Sequence, residues 1–426
     1  MNISQAILNL SEKLRPVLVK VVPMGLLRNV KDFMTEQSLK KRLKDRYSEP
    51  YAPGAYEYGI NLIGCIRAEI GLGQSCRLVA NELEHTGIPY TIKDFLWDGD
   101  SVRAEDHSFD DKISEETPYE INLFHVEPLD LVMGYSAVLD PALWSKRYNI
   151  AFWLWELEEF PKNWEKALIL ADEVWTPSEF ASESVRKVTN KPVYTIPYCV
   201  TAPTEPQYDR AYFGLPEDRF LFLAMYDVNS TMARKNPLGA LQAFQKAFSP
   251  DDERVGLVLK MNNPREEDLK KLKESLGEYT NIYYITEIMD KVVVNSLIRS
   301  VDVFVSLHRA EGFGLVMAEA MLNGTPCIAT NWSSNTEFMN DEVACMVDYE
   351  FITLKKTTPP YNKGARWADA NINTAAEYMT RLVEDEAYYK ELSDKGKAYV
   401  EEKLGMEQAV AKIQERIQSI TGRHEM

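Results

Sequence analysis

The chain has 426 residues, of which 45% are hydrophobic and 27% charged, and its formal net charge is −17. This length predicts two or three domains, and the composition excludes a wholly disordered chain. No run of about 20 apolar residues is present to span a membrane, and the negative charge argues against a general nucleic-acid binder. The five cysteines are scattered without a C-x-x-C pair, which indicates reduced thiols rather than a disulfide framework or a zinc site.

Residues 1–50 are predicted to be a basic amphipathic helical segment. Apolar residues recur at near-helical spacing over 7–21, and Pro16 and Pro23 interrupt the pattern. Residues 1–46 carry a net charge of +6, so the rest of the chain carries −23. Such a segment either lies on an anionic membrane surface or packs against protein, and the sequence leaves both open. Because no signal peptide is recognisable, we expect a cytoplasmic protein, associated with the inner membrane face if the segment binds lipid.

Residues 51–203 are predicted to form the first of two α/β domains. Short runs that are apolar throughout alternate with longer helical patterns, and such runs suit strands covered on both faces of a parallel sheet. Strands are predicted at 58–64, 90–95, 120–126, 149–155, 173–177 and 193–198, with a helix at 73–85. This alternation predicts a doubly wound, Rossmann-like sheet.

The same pattern restarts after a proline-containing linker and forms a second predicted domain, residues 204–395. Its predicted strands are 220–225, 255–260, 282–285, 301–307 and 326–330, and its helices include 238–248 and 316–323. The chain from 374 to 421 has a helical pattern, and residues 396–426 are expected to form a C-terminal helix that packs back on the first domain. Two such sheets leave a cleft between them, where ligands bind at the carboxyl ends of the strands.

The strongest chemical signal is the segment 308–326, which follows a predicted strand and opens a helix. Gly312 and Gly314 allow the backbone to approach a ligand closely, and free amides at the helix start favour an anion such as a diphosphate. Glu311 and Glu319 stand eight residues apart, one in the loop and one about a turn into the helix. Carboxylates accept hydrogen bonds and so suit sugar or ribose hydroxyls. The alternative is a plain strand-turn-helix corner with a solvated Glu319.

These residues resemble the hallmark of the retaining glycosyltransferases of family 4, also called glycosyl transferases group 1, which have the GT-B fold. In that fold two Rossmann-like doubly wound domains face a central cleft. The segment 311–326 matches E-G-F-G-L-x-x-x-E-A-M-x-x-G-T-P, and the resemblance covers most of the chain beyond residue 55. It implies that Glu311 contacts the transferred sugar and that Glu319 binds the nucleotide ribose. The amides implied to meet the sugar and the diphosphate belong to Gly312, Phe313, Gly314 and Leu315.

A basic pair, Arg234 and Lys235, follows the first strand of the second domain. At a strand-to-helix loop such a pair can neutralise a diphosphate and the growing charge of the leaving group, whereas the alternative is a solvated surface pair. The family usually separates its arginine and lysine, but here residues 227–230 replace the element that directly follows the strand. The Arg-Lys-Asn-Pro form looks like a subgroup of bacterial polysaccharide assembly with mannosyltransferase-like members.

Two further candidates lie in the first domain. Gly73 ends a G-x-G after the first strand; this pattern alone equally suits a dinucleotide site, and the resemblance makes it a loop that closes over the donor phosphate or presents the acceptor. His125 ends the third strand, where it could hydrogen-bond the transferred sugar or the acceptor, or simply be a satisfied core histidine. The D-x-D at 98–100 is interpreted as a turn and not as a metal site. The aromatic run 152–161 suits either an acceptor groove or core.

The sequence therefore predicts a metal-independent retaining glycosyltransferase without a cofactor beyond its nucleotide diphosphate sugar. It would move a hexose to a glycan or lipid-linked glycan in cell-surface polysaccharide biosynthesis, with GDP-mannose favoured from the subgroup resemblance alone. His125, Glu311 and Lys235 are predicted to act in catalysis, and no protein nucleophile is assigned. Two alternatives stay open: a nucleotide-sugar epimerase of the same fold, and a non-catalytic sugar-nucleotide-binding subunit.

Overall fold

The computed structural model describes residues 49–95, 107–228, 231–358 and 360–423, together with Phe33, Met34, Gln37 and Leu39. Nearly all of the basic N-terminal segment and the predicted turn at 98–100 therefore lie outside the described residues. In the part that is described, the chain forms two α/β domains, each built on a six-stranded sheet. No helix in these ranges is long and apolar enough to cross a lipid bilayer.

The N-terminal sheet has the strand order β2-β1-β3-β4-β5-β6, and every neighbouring pair is parallel. Its strands are β1 (Glu57–Gly64), β2 (Tyr90–Asp94), β3 (Tyr119–His125), β4 (Tyr148–Phe152), β5 (Glu173–Thr176) and β6 (Val193–Thr195). The helices that follow β1, β3 and β5 are α1 (Gly71–Glu84), α2 (Pro128–Met133) and α3 (Glu179–Arg186). The strand order reverses between β1 and β3, so the loops after these two strands border a crevice.

The C-terminal sheet repeats this design with the order β12-β11-β10-β7-β8-β9, again parallel throughout. Its strands are β7 (Phe220–Asp227), β8 (Val255–Asn262), β9 (Ile282–Ile285), β10 (Val303–Ser306), β11 (Cys327–Thr330) and β12 (Cys345–Val347). Its helices are α4 (Met232–Lys235), α5 (Pro237–Ala247), α6 (Glu266–Ser275), α7 (Lys291–Ser300), α8 (Leu315–Leu322) and α9 (Ile372–Glu384). The order reverses between β7 and β10, which places the two motif-bearing loops side by side.

An antiparallel hairpin of β13 (Tyr349–Thr353) and β14 (Arg366–Ala370) follows β12. Neither this hairpin nor β12 was predicted from the sequence. Most side chains of β13 are exposed, so this strand lacks the buried apolar run by which the sheet strands were recognised. The hairpin nevertheless closes on the N-terminal domain, because Arg366 on β14 lies 2.5 Å from Glu158.

The C-terminal helical region consists of α10 (Glu386–Lys403) and α11 (Met406–Thr421). Residue 396, the predicted start of the C-terminal helix, lies inside α10. The helical region is interrupted instead at Gly405, the N-cap of α11. Helix α11 lies against the N-terminal domain, where Ile413 and Ile417 are fully buried. Arg416 on this helix donates to Glu173 on β5 at 2.6 Å, and the Glu173 side chain is fully buried.

The chain crosses between the domains after β6 and again after α10. The two crossings touch, since the Val200 amide donates to the Leu404 carbonyl at 3.1 Å. Beside them, Glu82 on α1 accepts a 2.6 Å hydrogen bond from the Cys199 amide. The two chain crossings therefore lie side by side, and the carboxyl ends of the two sheets meet across the cleft.

Candidate active site

The loop after β7 holds the basic pair in a single helical turn, α4. The residues that flank this turn, Thr231 and Asn236, are both left-handed, with φ of +61° and +52°. Asn236 is among the residue types that tolerate this conformation, and its Nδ2 donates to the Leu307 carbonyl at 2.9 Å. Leu307 directly follows β10 and precedes the segment 308–326. This hydrogen bond therefore fixes the turn of Arg234 and Lys235 against that segment.

The structure brings the basic pair together with the first glutamate of the motif. Lys235 Nζ donates to Glu311 Oε2, and Arg234 Nη1 lies 3.6 Å from the same oxygen. Arg234 Nη1 also donates to the Ala310 carbonyl at 2.9 Å, while its Nη2 lies 3.8 Å from Glu156 Oε1 of the other domain. Two cations and two carboxylates therefore meet at the domain boundary.

Electrostatics at this cluster favour the ionised carboxylate. Burial alone would raise the pKa of Glu311, but Lys235, Arg234 and His308 outweigh it and lower the pKa to about 2. Burial lowers the pKa of Lys235, and the Glu311 carboxylate opposes that change. Burial also disfavours the charged Arg234, but Glu156 and Glu311 raise its pKa overall. Glu311 and Arg234 are therefore charged at neutral pH.

The glycine loop ends at the N-terminus of α8. Gly314 caps this helix with φ of +104°, a conformation that side chains with a Cβ rarely adopt. Within the described ranges, the backbone amides of residues 312–316 donate to no protein acceptor. Adjacent amides at the positive end of a helix dipole suit an anion. The Lys235 ammonium donates to Glu311, the residue that directly precedes these amides in the chain.

The side chain of Phe313 packs between the domains, in addition to the backbone amide that this residue contributes to the loop. Its ring is buried between Tyr198 of the N-terminal domain, at a centroid distance of 4.9 Å, and Phe338, at 5.5 Å. The side chain therefore belongs to the contact between the domains. A contact from its amide to a donor stays a prediction, as it does for Gly312, Gly314 and Leu315.

Glu319 lies one turn into α8 and is about 1% exposed. Its Oε1 is 2.5 Å from Nζ of Lys291, the first residue of α7. Its Oε2 is buried and has no hydrogen-bond partner in the described part of the chain. Burial raises the pKa of Glu319, and Lys291 opposes that rise. This carboxylate keeps an unused acceptor, which a ribose hydroxyl would satisfy.

His125 is fully buried at the end of β3. Its Nε2 lies 2.7 Å from Ser75 Oγ, which also hydrogen-bonds the Tyr198 hydroxyl, and its ring stacks on Phe152 at 4.9 Å. Burial lowers the pKa of His125 to about 4, so the imidazole is neutral at pH 7. It reaches the glycine loop through the contact of Tyr198 with Phe313. Its predicted contact with sugar or acceptor stays a prediction.

Gly73 is buried in α1 and has a packing reason to be glycine. A Cβ there would lie 2.0 Å from the Ala68 carbonyl oxygen and 3.1 Å from that of Cys65. Arg77 holds the same loop by donating to the carbonyls of Ile66 and Ala68 at 3.0 and 3.2 Å. The absent side chain thus lets α1 pack on the loop after β1, and contact of Gly73 with a donor phosphate stays a prediction.

The residues that approach the glycine loop from the N-terminal domain were not predicted from the sequence. Glu156, after β4, lies 3.8 Å from Arg234 Nη2, and burial together with this carboxylate raises the pKa of Tyr361. Ser178, the N-cap of α3, donates to the Gly312 carbonyl at 3.2 Å. A serine at a helix start is common, so no local signal distinguishes it. In the aromatic run 152–161, both tryptophans are buried and belong to the core.

His308, just before the motif, is buried with partners at both ring nitrogens. Its Nδ1 lies 3.0 Å from Ser306 Oγ, and its Nε2 lies 3.1 Å from Asn335 Oδ1. It therefore fixes the loop between β10 and Glu311. Across the described ranges, no three His, Cys, Asp or Glu side chains converge into a group that could hold a metal ion.

Two Rossmann-like domains that face each other across such a cleft define the GT-B fold, and this predicted fold is confirmed. Residues 209–399 match the family model described as Glycosyl transferases group 1. No curated protein sequence matches the chain.

Solved structures share this fold at low sequence identity. HepE from Anabaena, in complex with UDP and glucose, has a TM-score of 0.63 and 14% identity, covering 85% of this chain and 100% of that chain. A glycosyltransferase from Rickettsia africae has a TM-score of 0.62 and 15% identity, covering 87% and 100%. Sucrose-phosphate synthase from Thermosynechococcus elongatus has a TM-score of 0.61 and 17% identity, covering 88% and 99%. These similarities concern the fold.

Proposed function

We propose that this protein is a retaining glycosyltransferase that moves a hexose from a nucleoside diphosphate sugar to a hydroxyl of a glycan or lipid-linked glycan. The observation that carries the proposal is the meeting of Lys235 and Arg234 at one oxygen of Glu311, beside the unpaired amides at the start of α8. The match of residues 209–399 to the Glycosyl transferases group 1 model and the GT-B fold support it.

In this proposal the donor lies along the carboxyl edge of the C-terminal sheet. The amides of residues 312–316 bind the diphosphate, and the cations of Lys235 and Arg234 stabilise the charge that develops as the glycosidic bond breaks. Glu311 holds both cations in place and accepts hydrogen bonds from hydroxyls of the sugar. The unpartnered Oε2 of Glu319 accepts a ribose hydroxyl. The amides of residues 312–316 and the buried Oε2 of Glu319 then have partners in the complex.

The proposed transfer retains the anomeric configuration and needs no protein nucleophile. The acceptor oxygen attacks the anomeric carbon on the face from which the diphosphate leaves. The departing phosphate oxygen takes the proton of the acceptor hydroxyl, and the diphosphate keeps the electron pair of the broken bond. Closure of the two domains excludes water, which would otherwise compete as the acceptor. The anomeric configuration of the product, read by NMR, tests this step, and an inverted product would contradict it.

The donor identity is proposed from two sources that differ. The subgroup resemblance favours GDP-mannose, while the Anabaena HepE structures contain UDP, UDP with glucose, and UDP-glucose. Both nucleotides therefore belong in the first experiment. Thermal unfolding is measured with GDP, UDP, ADP, CMP and NAD and with the matching sugar nucleotides. A ligand at about 100 times its dissociation constant adds roughly 2.7 kcal/mol of stability, so a bound nucleotide gives a clear shift.

A shift with one nucleoside diphosphate and its sugar, lost in Glu319→Ala, is the expected result. No shift with any of them, or a shift with NAD alone, would contradict the proposal. Release of free sugar or transfer to an added glycan then separates a transferase from a nucleotide-sugar epimerase, which would change the donor without any acceptor. Nucleotide binding without turnover, either with or without an added glycan, would favour a non-catalytic subunit.

The acceptor is proposed from the basic charge of residues 1–46, which suits a lipid-linked glycan on an anionic cytoplasmic membrane face and a role in polysaccharide assembly. Full-length protein is expected to sediment with vesicles that contain anionic lipid, and protein lacking residues 1–46 is expected to stay in solution while still binding the nucleotide. Equal sedimentation of both proteins would contradict the membrane role of this segment.

A further inference from the structure

The start of helix α3 contacts the glycine loop from across the cleft. Ser178, its N-cap, is fully buried, and its Oγ lies 3.2 Å from the Gly312 carbonyl oxygen and 2.9 Å from Ser334 Oγ. The same oxygen accepts from the Ala181 amide at 3.2 Å, as an N-cap does. One side chain of the N-terminal domain therefore touches two segments of the C-terminal domain (residues 204–395), which is the donor domain in the proposed function.

The hydrogen-bonding capacity of this hydroxyl is filled without conflict. A serine hydroxyl has one hydrogen to donate and two lone pairs to accept. Donation goes to the Gly312 carbonyl, because that oxygen can only accept. The lone pairs accept from the Ala181 amide and from the Ser334 hydroxyl. Ser178 is thus fully satisfied only when the two domains are in contact.

A second contact at the same helix start strengthens the connection. The Glu337 carboxylate, which ends a short 3-10 helix of the donor domain, accepts from the amides of Glu179 and Phe180 at 2.9 and 2.8 Å. An anion at a helix N-terminus is favoured by its free amides and dipole. The ring of Phe180 also meets Trp332 at 5.4 Å. Separation of the domains would break all of these contacts together.

We propose that Ser178 is a positioning residue that couples closure of the two domains to the orientation of the glycine loop. The peptide between Gly312 and Phe313 is planar and trans, so its carbonyl and its N–H point in opposite directions. Gly312 lacks a Cβ and restrains that plane weakly. By holding the Gly312 carbonyl toward the N-terminal domain, Ser178 directs the Phe313 amide to the opposite side, into the set proposed to bind the diphosphate. This inference rests on the proposed function.

The contact of Ser178 with Gly312 would therefore complete the anion site, and it forms only when the two domains are closed. In the open state a nucleotide is still bound by the donor domain, through Glu319 and the helix start. The reactive arrangement, with the Phe313 amide aimed at the leaving group, forms when Ser178 meets Gly312. Removal of the hydroxyl should consequently lower turnover more than it weakens nucleotide binding.

The test compares Ser178→Ala with Ser178→Thr, which keeps the hydroxyl, and with Ser184→Ala as a matched control. Ser184 is also buried in α3, but its Oγ donates within the helix, to the Ala181 carbonyl at 2.8 Å. We measure the dissociation constant and stoichiometry of the bound nucleoside diphosphate by calorimetry, and kcat and KM for donor hydrolysis. Hydrogen exchange of the peptide spanning 309–316 is followed in the ligand-free protein.

Ser178→Ala is expected to lower kcat about tenfold, the effect of losing one hydrogen bond in the reactive state, with nucleotide affinity changed less than about threefold and stoichiometry unchanged. Its 309–316 peptide should exchange faster than in the wild type. Ser178→Thr should recover most of kcat, and Ser184→Ala should match the wild type.

Two results would overturn the inference while the proposed function stands: a kcat of Ser178→Ala within about twofold of Ser184→Ala, or a loss of kcat matched by an equal loss of binding stoichiometry. If wild-type protein binds no nucleoside diphosphate, the proposed function fails instead. The exchange comparison then decides alone whether Ser178 orients the loop, because it needs no ligand, and equal exchange in both alanine variants would refute it.

Discussion

The C-terminal domain holds two lysine–glutamate pairs on neighbouring elements, and the two carboxylates have different surroundings. At Lys235 and Glu311 a second cation, Arg234, lies 3.6 Å from the same carboxylate oxygen. At Lys291 and Glu319 one oxygen meets the lysine at 2.5 Å, and the other has no partner among the described residues. In the proposed function, the cations of the first pair bind an added anion, whereas the free oxygen of the second pair accepts from a hydroxyl.

The two carboxylates differ in the same sense in their acidity. Burial disfavours ionisation of both, but only at Glu311 do the neighbouring cations outweigh it and lower the pKa, to about 2. At Glu319 burial prevails over Lys291 and the pKa is raised. Motif spacing alone treats these residues as equivalent, and their surroundings give them different chemistry.

The largest effect is expected from Lys235→Met. The substitution removes the cation nearest to Glu311 and to the proposed diphosphate site, so the rate of donor cleavage should fall at least about 100-fold. The measurement is kcat/KM for transfer or donor hydrolysis, with Lys270→Met as the control, since the Lys270 side chain is 78% exposed. Retention of more than about a tenth of wild-type activity would contradict the assigned role of Lys235.

Glu319→Ala is expected to weaken binding of the nucleoside diphosphate by about 30-fold, because a hydrogen bond to a charged group is worth roughly 1.5–3 kcal/mol. Calorimetric titration gives this value, and Glu274→Ala on exposed α6 serves as the control. An affinity within about threefold of the wild type would remove the ribose role from Glu319 and leave the contrast between the pairs without a function.

The pH dependence of stability should have opposite signs at the two sites. The pKa of Glu311 falls from 4.5 to about 2 on folding, so its stabilisation is present above pH 4.5 and is lost as the pH falls toward 2. The pKa of Glu319 is raised on folding, so its contribution is present below pH 4.5 and is lost as the pH rises through the folded value.

Urea unfolding at several pH values measures this difference. The stability advantage of the wild type over Glu311→Gln should shrink by about 1 kcal/mol between pH values of about 5.5 and 3.5. The stability of Glu319→Gln relative to the wild type should instead increase as the pH rises. Parallel pH profiles for the two variants would show that their carboxylates are equivalent after all.

The smallest effect is expected from Lys291→Gln. Its side chain is 32% exposed and contacts a carboxylate whose pKa is raised, so nucleotide affinity should fall only about threefold. The same binding assay compares it directly with Lys235→Met. A loss as large as that of Lys235→Met would mean that Lys291 itself contacts the donor.

The sequence was informative wherever a pattern is local. Apolar runs flanked by turn residues located every strand of both sheets except β12, because most of these strands are buried on both faces. Glu311 and Glu319 were found because the loop and the first turns of α8 form one continuous segment. Glycine at 314 was expected at a helix start, and its φ of +104° gives the reason.

Other features depend on contacts between distant segments and gave no local signal. Ser178 meets Gly312 across 134 residues, and Glu156 reaches Arg234 from the other domain. The hairpin β13–β14 was missed because most side chains of β13 are exposed and the strand lacks a buried apolar run. At Gly73 the glycine was noticed, but its close approach to Ala68 appears only when α1 is packed on its loop. Only the folded chain brings such pairs together.

The position of α11 has a consequence for how the chain folds during synthesis. Glu173 is buried in the N-terminal sheet, and its partner Arg416 follows 243 residues later. At 5–20 residues per second the ribosome needs roughly 10 to 50 s to add that stretch. Until then the first domain holds a carboxylate without its cation, which is strongly destabilising in a buried site. The domain that is made first therefore reaches its full stability only after α11 has been made.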